Sequence, residues 1–104
     1  MQFVRPNMLD ENSLIMDIRT PQEYEEEKLL LPHIHIDFET WNIDDVIKKY
    51  HFDNSKTINI LCSSGGGRAE TAAQELEEHG IDNVAIVLGG MDGIKYDHIP
   101  TEKH

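Results

Sequence analysis

The 104-residue chain has one cysteine, few basic residues, few aromatics and no long apolar run. A single cysteine, Cys62, excludes an internal disulfide and a cysteine-based zinc cluster. It leaves an inert core thiol or a reactive one. No stretch approaches the roughly 20 apolar residues that a membrane-spanning helix requires. The opening MQFVRPNM lacks the charged-then-apolar profile of a secretory leader, so the cytoplasm is the expected location. Nine Lys and Arg stand against 20 Asp and Glu, a formal charge of −11, which argues against nucleic acid or an anionic membrane surface as partner. Repeats, low-complexity tracts and linkers are missing as well. What is there, 38% apolar and 28% charged residues, fits an ordinary globular fold. We expect one domain over residues 1–104 that buries roughly two-thirds of its unfolded surface. Its polar end, 97–104, reads as a loosely held tail.

Gln2-Phe3-Val4 reads as a short extended piece, and Ser13 to Ile18 as a compact apolar strand. Thr20-Pro21-Gln22-Glu23 is a capping box with proline at the first helical position, which predicts a helix start; the helix is short and acidic through Glu27. His33 to Ile36 alternates like a strand. Asn42 can cap a second helix, with Ile43, Val46, Ile47 and Tyr50 on one face. Thr57 to Leu61 and Val84 to Leu88 are apolar strands rich in β-branched residues. Between them Ala69, Ala72, Ala73 and Leu76 mark a helix that Gly80 ends. Gly89 to Gly93 reads as a turn. Strands separated by helices predict right-handed crossovers and a mostly parallel sheet covered on both faces.

Ligands of open α/β sheets gather at the carboxyl ends of strands, where the next helix begins. Cys62 stands at such an end, followed by Ser63, Ser64, Gly65, Gly66, Gly67 and Arg68. Glycines let several N–H groups turn toward one point, and the helix N-terminus adds partial positive charge there. Such a nest favours a thiolate and would also hold the oxyanion of a substrate. Arg68 can add a forked pair of donors. Packing alone gives no reason for a glycine-rich run directly after a thiol, so Cys62 reads as reactive.

Asp17-Ile18-Arg19-Thr20-Pro21-Gln22-Glu23-Tyr24, the Cys62 loop with Arg68-Ala69, the Ala72-Ala73-Leu76 helix with Gly80, and Val87-Leu88-Gly89-Gly90 together resemble a single rhodanese (sulfurtransferase) domain. The resemblance runs from Leu14 to Gly93. It implies a three-layer α/β/α domain with a mostly parallel five-stranded central sheet. It implies that Cys62 takes up a sulfane sulfur as a persulfide and passes it to a thiol or cyanide. The donor would be thiosulfate, another small anionic sulfur donor or a persulfide-carrying protein. Residues Ser63 to Arg68 would form the substrate cradle, with no metal or cofactor.

The sequence departs from that pattern in two places. Sulfur-transferring loops of the family usually carry one residue fewer than the five that stand between Cys62 and Arg68. The longer spacing resembles that of the related cell-cycle phosphatases and rhodanese-fold arsenate reductases, whose oxyanions need a wider cradle. Against that, Leu61 stands where those phosphatases carry histidine, and Ser63 where the cell-cycle enzymes carry glutamate. Sulfur transfer is the expected chemistry, with phosphate or arsenate chemistry on the longer loop and a non-catalytic binding module as the alternatives. A phosphatase also wants a general acid, which persulfide transfer does not, and Asp92 could approach the same face. The second departure is Pro32-His33-Ile34-His35-Ile36, where only His33-Ile34 survives of the family's "G-H-I-x-G-A" turn.

Asp17 and Arg19 read as a buried ion pair supporting the site, with Glu23 able to join through i, i+4 geometry from Arg19. His33 and His35 read as strand-edge residues, since two imidazoles without a third ligand make no metal site. Trp41 and Phe38 read as packing for the second helix. The acidic runs read as solvated helix faces, and the overall charge favours a basic protein as sulfur donor.

Overall fold

The computed structural model describes residues 2–64 and 67–103. Strand β1 (Gln2–Val4) leads through a 3₁₀ turn to β2 (Leu14–Asp17), α1 (Pro21–Glu26), β3 (Glu27–Leu29) and β4 (Ile34–His35). A second 3₁₀ turn precedes α2 (Ile43–Tyr50). Then follow β5 (Ile58–Leu61), α3 (Gly67–Glu78), β6 (Val84–Val87), α4 (Gly90–Tyr96) and β7 (Thr101–Lys103). Five strands form one sheet in the order β1-β6-β5-β2-β4, and every pairing in it is parallel. Parallel sheets need both faces covered, because helical crossovers bury them on each side.

Alternation along the strands divides the core accordingly. Met16, Ile18, Ile58, Ile60, Val84 and Ile86 pack with Val46 of α2 and with Ala69, Ala72, Ala73 and Leu76 of α3. Ile15, Leu61 and Val87 face the other way, onto Met91 and Ile94 of α4 and Leu29 of β3. Small alanines on α3 let its backbone lie close to the sheet, and a fully buried leucine such as Leu76 contributes about 1.5–3 kcal/mol by leaving water. Phe38 and Trp41 meet edge to face, with ring centroids 5.1 Å apart, and pack against the α2–α3 side.

The capping signals are realised at α1 and α2. Thr20 and Glu23 form the reciprocal capping box, and the Asn42 side chain accepts from the Asp45 amide. Gly80 ends α3 just beyond its last turn at φ +85°, a conformation that costs glycine little.

Two sequence expectations need correction. The segment expected as a turn over Gly89–Gly93 instead opens helix α4, with Gly89 at its N-cap and Gly90 as its first residue. The polar tail expected over 97–104 instead supplies β7, antiparallel to β3 with Glu27 opposite Lys103 and Leu29 opposite Thr101. Backbone pairing and the Thr101 hydroxyl, donating to Glu27 Oε2 at 2.6 Å, hold this ribbon without an apolar pattern.

Candidate active site

Cys62 directly follows β5, a central strand of the sheet, and is 2% exposed. It belongs to the core cluster on the α2–α3 face, so the thiol lies at the floor of the strand end rather than on the surface. Helix α4 fixes the backbone here from the other side. The Met91 amide donates to the Cys62 carbonyl at 2.7 Å and the Asp92 amide to the Ser63 carbonyl at 3.2 Å. Gly67 opens α3, and Arg68 occupies that helix's first turn. Ser64 and Gly67 are exposed. Gly65 and Gly66, both expected in the cradle, lie outside the described residues.

The arginine expected to face an incoming anion already has a partner. Arg68 Nη1 donates to Glu23 Oε1 at 2.8 Å, and Nη2 to Glu23 Oε2 and to the Ser63 hydroxyl, each at 3.1 Å. The Ser63 hydroxyl in turn donates to Glu23 Oε2 at 2.5 Å. From the helix side, the Thr20 amide and hydroxyl reach Glu23 Oε1 at 3.0 and 3.1 Å. These donors, Arg68 foremost, hold the Glu23 carboxyl well below the usual carboxylate range. Glu23 in return raises Arg68 above the usual guanidinium range.

Asp17 and Arg19 form a separate buried pair, with side chains 0% and 4% exposed. Arg19 Nε contacts both Asp17 oxygens at 3.1 Å and Nη2 contacts Oδ2 at 2.8 Å. The same guanidinium donates to the carbonyls of Glu23 and Glu27, tying the end of β2 to α1 and β3. Glu23 therefore joins Arg19 through its backbone, not through the carboxylate that i, i+4 spacing offered.

The two histidines converge on Tyr24. Its hydroxyl lies 2.8 Å from His33 Nε2, and its ring stacks on His35 at 3.9 Å. Carbonyls only accept, so His33 Nδ1 carries a proton for Leu31 and His35 Nε2 one for Arg19. Beside Ser63 opens a cleft of about 320 Å³, lined among others by Arg19, Glu27, Asp92, Lys95 and Lys103. Asp92 thus reaches the strand-end face, with its carboxylate 74% exposed and 4.0 Å from Lys95.

A cysteine at the carboxyl end of a central parallel strand, followed by a loop and a helix that carries a bonded arginine, defines a cysteine-centred α/β domain. The chain belongs to the Rhodanese-like domain family, whose model matches residues 5–97. It is similar to a protein of Staphylococcus saprophyticus, at 30% identity over 88% of this chain and 91% of that one, TM-score 0.70. A rhodanese-like domain protein of Staphylococcus aureus matches at 25% identity over 89% and 90%, TM-score 0.71. A thiosulfate sulfurtransferase of Pseudomonas aeruginosa shares the fold at TM-score 0.77, with 15% identity over 98% of this chain and 19% of that one. Among curated proteins none matches the chain.

The residue that sequence reasoning underweighted is Glu23. It stands in the resembling motif, but the capping box already accounted for its carboxylate. Arg68, its partner, lies 45 positions away.

Proposed function

We propose that the protein is a sulfurtransferase that carries a sulfane sulfur on Cys62. The Cys62 thiolate attacks the outer sulfur of thiosulfate or of a persulfide donor, forming a new S–S bond. The donor's own S–S bond breaks, and sulfite or a thiolate leaves with the electron pair. An acceptor thiolate or cyanide then attacks the outer sulfur of the Cys62 persulfide, and Cys62 departs as thiolate. Neither step changes the overall count of electrons, and neither needs a general acid, because sulfite and thiolates are good leaving groups.

The observation that carries this reading is the placement of Cys62 at the end of β5 within a Rhodanese-like domain. The occupied Arg68 fork also favours transfer from a persulfide donor over phosphate or arsenate chemistry, which needs those donors open to an oxyanion. The loop from Ser63 to Arg68 serves as the cradle, with Asp17 and Arg19 as its structural support. Acceptor thiols suit a reducing compartment such as the cytoplasm, and no helix among the described residues is long and apolar enough to cross a membrane. The net charge of −11 favours a basic protein as physiological donor.

Thiocyanate formation from a sulfane donor and cyanide tests the proposal. The wild-type protein is expected to turn over while Cys62→Ser, equally folded, gives no product. Transfer by Cys62→Ser, or hydrolysis of an aryl phosphate by the wild type in place of transfer, would refute it.

A further inference from the structure

Glu23 offers Arg68 what an oxyanion would offer, two acceptor oxygens spaced for the guanidinium fork. Oε1 takes Nη1 and Oε2 takes Nη2, while the Ser63 hydroxyl takes a second bond from Nη2. Thr20 pins the carboxylate in place from the α1 side through its amide and hydroxyl. The pair is about two-thirds buried, with side chains 31% and 33% exposed, so salt screens it only in part. A sulfonate, phosphate or arsenate group entering the cradle therefore finds both terminal nitrogens of Arg68 engaged and a fixed negative charge beside Ser63. It must displace Glu23 or bind without the fork.

We propose that Glu23 is a specificity-determining residue, a resident anion that selects against oxyanion ligands. It would disfavour thiosulfate, phosphate and arsenate, and favour donors whose transferable sulfur carries no oxyanion, the class of alkyl hydropersulfides. This inference rests on the reading of Cys62 as a sulfur carrier.

Glu23→Gln keeps an acceptor oxygen for Thr20 and Arg68 but removes the charge. Binding of inorganic phosphate and of thiosulfate is read as protection of Cys62 from iodoacetamide, which needs no turnover. The expected result is half-protection at a concentration lower by about tenfold or more in Glu23→Gln, the scale of one charge-assisted contact. The KM for thiosulfate is expected to fall in parallel, while that for an alkyl hydropersulfide changes less than about twofold. Glu23→Asp, which keeps the charge but shortens its reach, is expected to lie between wild type and Glu23→Gln and serves if the glutamine variant fails to fold. Unchanged or weaker anion protection in a folded variant, or no measurable protection in any of the proteins, would overturn the inference and leave Glu23 a brace between α1 and the loop. A wild type that transfers no sulfur from either donor would sink the functional reading instead, and phosphate protection would still decide the role of Glu23.

Discussion

Arg19 braces the site from below: its one guanidinium pairs with Asp17 and donates to the carbonyls of Glu23 and Glu27. Because Asp17 is fully buried, removing Arg19 leaves an unpaired charge in the interior. Arg19→Met should cost about 3–5 kcal/mol, the penalty for breaking a buried pair from one side. For a domain of this size that lowers the melting temperature by more than about 10 °C, read by circular dichroism. Adding Asp17→Asn should recover part of the loss, and a single variant that melts like wild type would contradict the assignment. This pair was legible in the sequence because its members are two positions apart at a strand end. The Glu23–Arg68 pair was not. A capping box satisfies glutamate locally, so nothing in residues 20–23 asks for a partner 45 positions on, and only the approach of α1 to the Cys62 loop supplies it.

At the scale of elements, α4 shows what glycine can hide. Gly90 and Gly93 made the segment read as a turn, yet Gly93 is there to let a helix pass close to the chain. A Cβ at Gly93 would drive into the Leu88 carbonyl oxygen and come within 3.4 Å of Pro6 Cγ. Gly93→Ala should therefore push α4 off the sheet and disturb the Met91 and Asp92 amides that hold the Cys62 and Ser63 carbonyls. The expected outcome is a lower melting temperature together with slower sulfur transfer, whereas unchanged values in both would refute this coupling. Strand β7 was hidden for a different reason. Its ladder with β3 draws on backbone pairing and the Thr101 hydroxyl, and neither leaves a hydrophobic period to read. Helices α1 to α3 announced themselves through caps and apolar spacing, which is where local chemistry and tertiary packing agree.

For the molecule as a whole, the alternation of apolar strands with helices implied the parallel sheet, and the strand order places β5 between β6 and β2. That position brings Cys62 out at the middle of the sheet's carboxyl edge, with α1, α3 and α4 all contributing to its surroundings. Sequence alone reached the thiol and its loop. The state of Arg68 lay beyond it, because a side chain's partner depends on how whole elements meet.

The central claim, that Cys62 carries sulfur, is tested most directly by intact-protein mass. The protein is incubated with thiosulfate or an alkyl hydropersulfide, and then with a thiol. The account predicts a gain of one sulfur, about 32 Da, that the thiol removes and that Cys62→Ser never shows. No gain from either donor, or a gain that persists in Cys62→Ser, would contradict it.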